Sequence, residues 1–218
     1  MRVKICCIGS VEEARLAIHY GAHAIGLVSH MPSGAGVIPD ERIREIARSL
    51  PPAIGSFLLT SRQDPDAIIA QQRSARVNTL QLVDRMTVDH LRTLREQLPG
   101  VSLVQVVHVT GPEALDEAAR VAPLVDAILL DSGNPNLPVK QLGGTGRVHN
   151  WDLSAQIVRS VSCPVFLAGG LRPDNVAQAI SRVQPFAVDV CSGLRPQGYL
   201  DERLLVEFMY TVRRMAGI

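Results

Sequence analysis

The sequence predicts a single closed (β/α)8 barrel, and three observations lead to that fold class. Short apolar runs alternate with amphipathic helical stretches along the whole chain, and there are eight of each with no unpaired remainder. The apolar runs lack a clean polar and apolar alternation, which is typical of parallel strands that are covered on both faces. Eight such units favour closure, because an open doubly wound sheet usually has five or six.

The length of 218 residues suits one barrel domain, and no linker, repeat or change in composition divides residues 1–218. The predicted strands cover residues 3–8, 22–28, 53–59, 77–83, 102–109, 125–130, 164–168 and 186–190. The predicted helices cover residues 11–19, 39–50, 64–72, 87–98, 112–121, 152–160, 173–181 and 201–215. Local signals support several helix starts, such as a capping box formed by Ser10 and Glu13 and a first-turn proline at Pro173.

Bulk composition excludes several classes of protein. Hydrophobic residues make up 46% of the chain and charged residues 20%, which indicates a globular core and argues against disorder. The net charge of +1 gives no sign of a nucleic-acid partner, and no apolar run is long enough for a signal peptide or a membrane span. The four cysteines are spaced too unevenly for a disulfide scaffold, so we expect a reducing, cytoplasmic environment.

Two glycine-containing turns after the seventh and eighth strands predict a phosphate site. Gly169 and Gly170 follow one strand, and Ser192 and Gly193 follow the other. In barrels these turns and a helix N-terminus hold phosphate through backbone N–H groups. Ordinary turn glycines are the alternative. We expect the glycine-rich loop at Gly143 and Gly144 to contribute to the same site.

Two further strand ends carry candidate catalytic groups. Cys6 lies near the end of the first strand with Lys4 close by, so it could act as a thiolate base, although a cysteine in an apolar strand is more often a small buried hydrophobe. Asp131 ends the sixth strand, where a carboxylate is costly unless it has a function or a structural ion pair. Three more polar residues near strand ends are possible substrate contacts: His30, Asp84 and His108. They could also converge on a divalent metal, although their spacing carries no metal signature, or they could be solvent-facing loop residues.

Five motifs in order resemble the phosphoribosylanthranilate isomerase family of tryptophan biosynthesis. They are VKIC at 3–6, LLDS at 129–132, GGTGRVHNW at 143–151, LAGGLRPDNV at 167–176 and PFAVDVCSGL at 185–194. The resemblance implies an Amadori rearrangement of an N-phosphoribosyl aromatic amine, with Asp131 as general acid and Cys6 as general base. It implies no cofactor and no metal.

The chain departs from the family pattern at three places. Cys7 replaces the glycine of the family's KICG motif. The loop after the second strand reads Ser-Gly-Ala-Gly at 33–36, where the family has a Lys-Arg pair thought to hold the anthranilate carboxylate. The family's Gln-Leu-His-Gly is Gln-Leu-Val-Asp at 81–84, so that Asp84 would bring negative charge near an anionic substrate.

Three functions therefore stay open. The first is a divergent phosphoribosylanthranilate isomerase, and the second is a paralogue that isomerises another phosphosugar. The third is a non-catalytic barrel that binds a phosphorylated metabolite, which would need neither Cys6 nor Asp131. In each case we expect a small phosphorylated ligand, no nucleic-acid or membrane partner, and a monomer or homodimer.

Overall fold

The chain forms a closed eight-stranded parallel barrel in a computed structural model that describes residues 1–215 and 217. The strands follow one another around the barrel in sequence order, and the last strand pairs with the first. The strands are β1 (Arg2–Ile5), β2 (Ala24–Val28), β3 (Gly55–Thr60), β4 (Thr79–Leu82), β5 (Ser102–His108), β6 (Ala127–Asp131), β7 (Val165–Leu167) and β8 (Ala187–Val190). The predicted fold class is confirmed.

A helix follows each strand and packs on the outside of the barrel. The helices are α1 (Val11–His19), α2 (Asp40–Ser49), α3 (Pro65–Ala75), α4 (Val88–Gln97), α5 (Glu113–Val121), α6 (Trp151–Ser160), α7 (Val176–Val183) and α8 (Glu202–Met215). Ser10 caps α1 by accepting a hydrogen bond from the Glu13 N–H, as the sequence predicted. The predicted strands are one to three residues too long at most ends, since apolar residues continue into the buried connections.

The start of α7 is the clearest difference in helix boundary. The first-turn proline at Pro173 predicted a helix from that residue, but α7 begins at Val176. Asn175 accepts a hydrogen bond from the Arg172 N–H and donates one to the Gly170 carbonyl oxygen. These two bonds hold residues 172–175 as a turn that connects β7 to the helix.

Two apolar layers result from the alternation of side chains along each strand. The larger layer lies between the strands and the helices and includes Leu27, Leu80 and Ile128. The smaller layer fills the inside of the barrel and includes Phe57 and Phe166, whose ring centroids lie 5.8 Å apart. Since side chains fill the barrel interior, the space for a ligand lies at the carboxyl ends of the strands.

Candidate active site

A cavity of about 710 Å³, partly open to solvent, lies at the carboxyl ends of the strands. The ends of β1, β6 and β8 contribute Cys6, Asp131 and Asp189 to its wall. The loop after β2 and the loop after β6 meet over it, where Ser33 Oγ donates a hydrogen bond of 2.7 Å to the Lys140 carbonyl oxygen. This is the face of the barrel on which the sequence predicted the site.

Cys6 is buried in the cavity wall and is a free thiol. Its sulfur and the Lys4 ammonium both lie close to Gly26. A Cβ atom built on that glycine would be 2.7 Å from Cys6 Sγ and 3.0 Å from Lys4 Nζ. Burial raises the pKa of the Cys6 thiol to about 11, and the neighbouring Lys4 charge opposes the rise. Gly26 therefore leaves the space in which a cation can stabilise the thiolate.

Lys4 is fully buried and forms an ion pair with Asp189, at 2.8 Å between Nζ and Oδ2. Its ammonium also lies 5.3 Å from the centroid of the Phe57 ring, within the range of a cation–π contact. Burial acts to lower the pKa of Lys4, but Asp189 and Cys6 together raise it above its usual value, so the side chain stays charged. The second Asp189 oxygen, Oδ1, is buried and has no hydrogen-bond partner among the described residues, and Asp189 lines the cavity.

The sequence pointed to Lys4 as a neighbour of Cys6 but not to Asp189. Lys4 lies two residues before Cys6, so the two side chains point to the same side of the chain. Asp189 lies on β8, in register with Lys4. An aspartate inside the apolar run of the eighth strand was the signal that could have identified it.

Asp131 ends β6 and lies in the wall of the cavity. Its Oδ1 accepts a hydrogen bond of 2.7 Å from the Ser132 N–H, and its Oδ2 faces Gly143, where a Cβ would come within 2.8 Å. Burial raises the pKa of the Asp131 carboxyl, and nearby His108 opposes the rise. A carboxyl with a raised pKa can hold a proton for donation, as a general acid must.

Backbone turns form another part of the cavity wall. Gly143, Gly144, Gly169, Gly170 and Ser192 all line it. At Gly170 the φ angle is +63°, and a Cβ would come within 2.6 Å of the Arg147 backbone, so the close approach of these two segments requires glycine. Gly193 is outside the cavity wall, where it packs against the Leu171 backbone.

The three possible substrate contacts lie outside the cavity wall. His30 is exposed and lines a separate shallow groove with Arg62 and Val37. His108 is buried beside Asp131 on the neighbouring strand, and its Nε2 lies 3.0 Å from the Val83 carbonyl oxygen. Asp84 is buried and paired with the Lys140 ammonium. The negative charge that the sequence placed near the substrate is therefore neutralised by a lysine from the loop after β6.

Cys7 and Cys191 form a disulfide with a Cα–Cα distance of 5.9 Å. No local sequence signal predicted this bridge, because the two residues are 184 positions apart. They become neighbours only when β8 pairs with β1 and closes the barrel, with Ile5 opposite Val190. The sequence predicted no disulfide scaffold and a reducing environment, so this bridge departs from the expected reduced state, whereas Cys6 and Cys163 are free.

Two further observations on the described residues concern clusters of metal ligands and membrane-spanning helices. Within residues 1–215 and 217, no group of three or more His, Cys, Asp or Glu side chains has the arrangement of a metal site. None of the helices in that part of the chain combines the length and the apolar character that crossing a lipid bilayer requires.

Comparison with known proteins gives the family. The sequence pattern of N-(5'phosphoribosyl)anthranilate isomerases matches residues 3–211. The N-(5'-phosphoribosyl)anthranilate isomerase 2 of Methanosarcina mazei is 37% identical over 215 residues, which cover 98% of this chain and 94% of that protein. The chain belongs to the phosphoribosylanthranilate isomerase family.

Solved structures of phosphoribosylanthranilate isomerases have the same fold. The enzyme from Thermotoga maritima is 29% identical, and the alignment covers 100% of both chains with a TM-score of 0.84. Another is a complex with reduced 1-(o-carboxyphenylamino)-1-deoxyribulose 5-phosphate, which is 27% identical with a TM-score of 0.82 over 98% of this chain and 99% of that one. A third, described as monomers made from the dimeric Thermotoga maritima enzyme, is 25% identical with a TM-score of 0.81 over 98% and 99% of the two chains.

The part of the cavity formed by the loop after β2 has no cationic side chain among the described residues. Ser33, Gly34 and Ala35 of the loop after β2 line it, and no Arg or Lys occurs among the described lining residues. Arg85, a cation that follows β4, forms an ion pair with Glu117 at 3.0 Å. Lys140, a cation of the loop after β6, is paired with Asp84.

Proposed function

We propose that this protein is a phosphoribosylanthranilate isomerase of tryptophan biosynthesis, which converts N-(5'-phosphoribosyl)anthranilate into 1-(o-carboxyphenylamino)-1-deoxyribulose 5-phosphate. The observation that carries the proposal is that Cys6, Asp131 and the glycine turns around Gly170 line one cavity. Within the substrate, C1′ is reduced and C2′ is oxidised. The reaction class is therefore an intramolecular oxidoreductase.

Asp131 acts as the general acid in the first step. Its carboxyl donates a proton to the furanose ring oxygen, the bond from that oxygen to C1′ breaks, and the nitrogen lone pair forms an iminium. The raised pKa of Asp131 supports this role, because the proton is retained to a higher pH than on an ordinary aspartate. The hydrogen bond from the Ser132 N–H to Oδ1 leaves Oδ2 as the donating oxygen.

Cys6 acts as the general base in the second step. Its thiolate removes the C2′ proton, and the electron pair forms the double bond of an enolamine, which then becomes the ketone. The reactive form carries a proton on Asp131 and a negative charge on Cys6. Because burial raises the pKa of Cys6 to about 11, this form is a minor protonation state near neutral pH. Lys4 stabilises that charge from within the barrel, and Asp189 holds Lys4 in place.

The phosphate binds at the turns after β7 and β8, with Gly143 and Gly144 above it. Positive φ angles at Gly169 and Gly170, 79° and 63°, allow successive backbone groups to turn toward one ligand. Ser192 adds a hydroxyl group to this end of the cavity. Gly193 supports the site by letting the turn pack on Leu171, and His30, Asp84 and His108 make no direct substrate contact in this proposal.

A second candidate function rests on the uncharged aglycone end. A paralogue that isomerises an N-phosphoribosyl substrate without an aryl carboxylate would need the same acid, base and phosphate site but no cation near Ala35. The loss of one charge-assisted contact is worth about 1.5–3 kcal/mol, or roughly one to two decades of affinity. The two candidates thus differ in substrate and share the chemistry.

The decisive experiment measures turnover and complementation together. The purified protein is assayed with N-(5'-phosphoribosyl)anthranilate, and the gene is introduced into a tryptophan auxotroph that lacks the isomerase. We expect both turnover and growth, and Asp131→Asn as the matched control should abolish both. Turnover only on a substrate without the carboxylate would favour the paralogue, and no turnover on either would contradict both candidates.

The cellular location and the oligomeric state are still predictions from the sequence. We expect a cytoplasmic location, and we expect the protein to be a monomer or a homodimer. Size-exclusion chromatography with light scattering would measure the oligomeric state.

A further inference from the structure

The disulfide between Cys7 and Cys191 lies in the wall of the cavity. Cys7 follows β1 and Cys191 follows β8, so that the bridge crosses the seam at which the barrel closes. Cys7 is buried, whereas Cys191 is partly exposed. A small molecule in the cavity can therefore reach the sulfur of Cys191 more easily than that of Cys7.

The bridge ties together loops that form the phosphate site. Cys191 immediately precedes Ser192, which lines the cavity, and Gly193, which packs on the turn after β7. On the other side, Cys7 has a left-handed backbone with φ of +59° and contacts Gly36 in the loop after β2. This conformation is unfavourable for a residue other than glycine, and the bridge is one interaction that can hold it.

The remaining cysteines are poorly suited to exchange with this pair. Cys6 is buried against Lys4, and because its pKa is about 11 it is a neutral thiol, which is a weak nucleophile. Cys163 lies next to Pro164, at the start of β7 and thus at the opposite end of the barrel. Cys7 and Cys191 therefore form a defined pair.

We propose that Cys7 and Cys191 are a reversible thiol–disulfide site, and that the bridged form orders the phosphate-binding turn. The oxidant is a low-molecular-weight disulfide. The Cys191 thiolate attacks one of its sulfurs, a mixed disulfide forms and the first small thiolate leaves. The Cys7 thiolate then attacks Cys191 Sγ and displaces the second. The two protons lost by the cysteines go to the two small thiols, and reduction by a dithiol reverses both steps.

The expected effect is on binding and stability more than on the chemical step. In the reduced form the segment Cys191–Gly193 must become ordered when the phosphate binds, which weakens affinity. We expect a KM roughly three- to tenfold higher after reduction, with little change in kcat, since Cys6 and Asp131 lie outside the bridge. We also expect a Tm roughly 5–15 °C lower, because the bridge spans nearly the whole chain.

The experiment uses the full chain equilibrated with oxidised glutathione or with dithiothreitol that is then removed. Thiols are counted after denaturation, and we expect two in the oxidised protein and four in the reduced protein. Peptide mapping identifies the bridge. Inorganic phosphate is the binding probe, measured as protection against thermal unfolding in each redox state, and kinetics with the isomerase substrate follow.

Variants separate the bridge from general redox effects. Cys7→Ser and Cys191→Ser should each give the KM and Tm of the reduced protein and should not respond to glutathione. Cys7→Gly is a second variant that suits the left-handed backbone if the serine variants fold poorly. Cys163→Ser is the matched control and should keep the full redox response.

Three results would overturn the proposal. One is a count of four thiols after equilibration with oxidised glutathione. Another is a bridge that forms but leaves phosphate protection unchanged. The last is tighter phosphate binding in the reduced form. The kinetic part rests on the proposed isomerase function, but the thiol count and phosphate protection need no turnover, so an inactive protein would contradict only that function.

Discussion

The two halves of the cavity differ in how they are built. The half formed by the ends of β1, β6, β7 and β8 holds Cys6, Asp131 and the Lys4–Asp189 pair, all buried and fixed by neighbouring strands. The half formed by the ends of β2 to β4 contributes Ser33, Gly34, Ala35, Leu59, Gln81 and Val83, and no charged side chain. In the proposed function the first half carries out the reaction, because acid and base must be positioned against the sugar. In the same proposal the second half surrounds the aglycone and can change without loss of that chemistry.

The half of the cavity that holds Cys6 and Asp131, here called the charged half, should show the largest effect on kcat. Cys6→Ala and Asp131→Asn should each lower kcat by about 10²- to 10⁴-fold, since each removes one of the two proton-transfer groups. Binding of inorganic phosphate should stay within a few-fold of the wild type, because the glycine turns are untouched. Steady-state kinetics and phosphate competition test this, with Cys163→Ala as the control. If both variants keep their activity, the assignment of acid and base is wrong.

The buried ion pair should matter for stability as well as for rate. Lys4→Met leaves Asp189 as an uncompensated buried charge, which should cost about 3–5 kcal/mol of unfolding free energy. Urea denaturation measures the change. The matched control is Arg92→Met, which breaks the exposed pair with Asp89 and should cost less than about 1 kcal/mol. Equal losses in the two variants would mean that the Lys4 pair contributes no more than a surface contact.

His149 should make the free energy of unfolding depend on pH. Burial lowers the pKa of His149 to about 4, and its ring lies behind Gly169 in the phosphate turn. The unfolded chain takes up a proton below about pH 6.5 and the folded chain only near pH 4, so stability should fall as the pH drops between these values. The expected loss is about 3 kcal/mol.

Urea denaturation at several pH values tests the prediction for His149. His149→Gln should remove this part of the pH dependence, and substitution of the exposed His19 by Gln should leave it unchanged. Parallel pH curves for the wild type and His149→Gln would show that other groups cause the loss.

The half formed by the ends of β2 to β4, here called the uncharged half, should show the smallest effect, which is a change in preference between two product analogues. In the wild type, a product analogue with the anthranilate carboxylate should bind less than about tenfold more tightly than the analogue without it. Ala35→Arg should restore a cation at the exposed loop position that lines the cavity and raise this preference by roughly ten- to a hundredfold. Ala35→Gln is the neutral control of similar length.

Isothermal titration with both analogues provides the measurement for Ala35. A wild type that already discriminates by more than a hundredfold would mean that another cation, such as Lys140, leaves Asp84 and reaches the carboxylate. Either result shows how far the uncharged half limits the choice of substrate.

The sequence by itself determined the eight-unit barrel and placed most of the proposed site residues on one face. It could do so because parallel strands end at a common edge, so the residue type at each strand end already indicates the chemistry there. Cys6, Asp131 and the glycines before and after β7 were candidates because of their positions at strand ends, and the family resemblance supplied the proposed roles of Cys6 and Asp131. Apolar runs and turn residues give this information locally.

Only the tertiary structure decided which of these residues act together. Register between β1 and β8 pairs Lys4 with Asp189 and joins Cys7 to Cys191, contacts that span nearly the whole chain. Side-chain direction excludes His30 and His108 from the cavity wall, and the loop after β6 neutralises Asp84. These outcomes depend on barrel closure and on which face each strand turns inward. A one-residue change in register would reverse them without altering any local sequence signal.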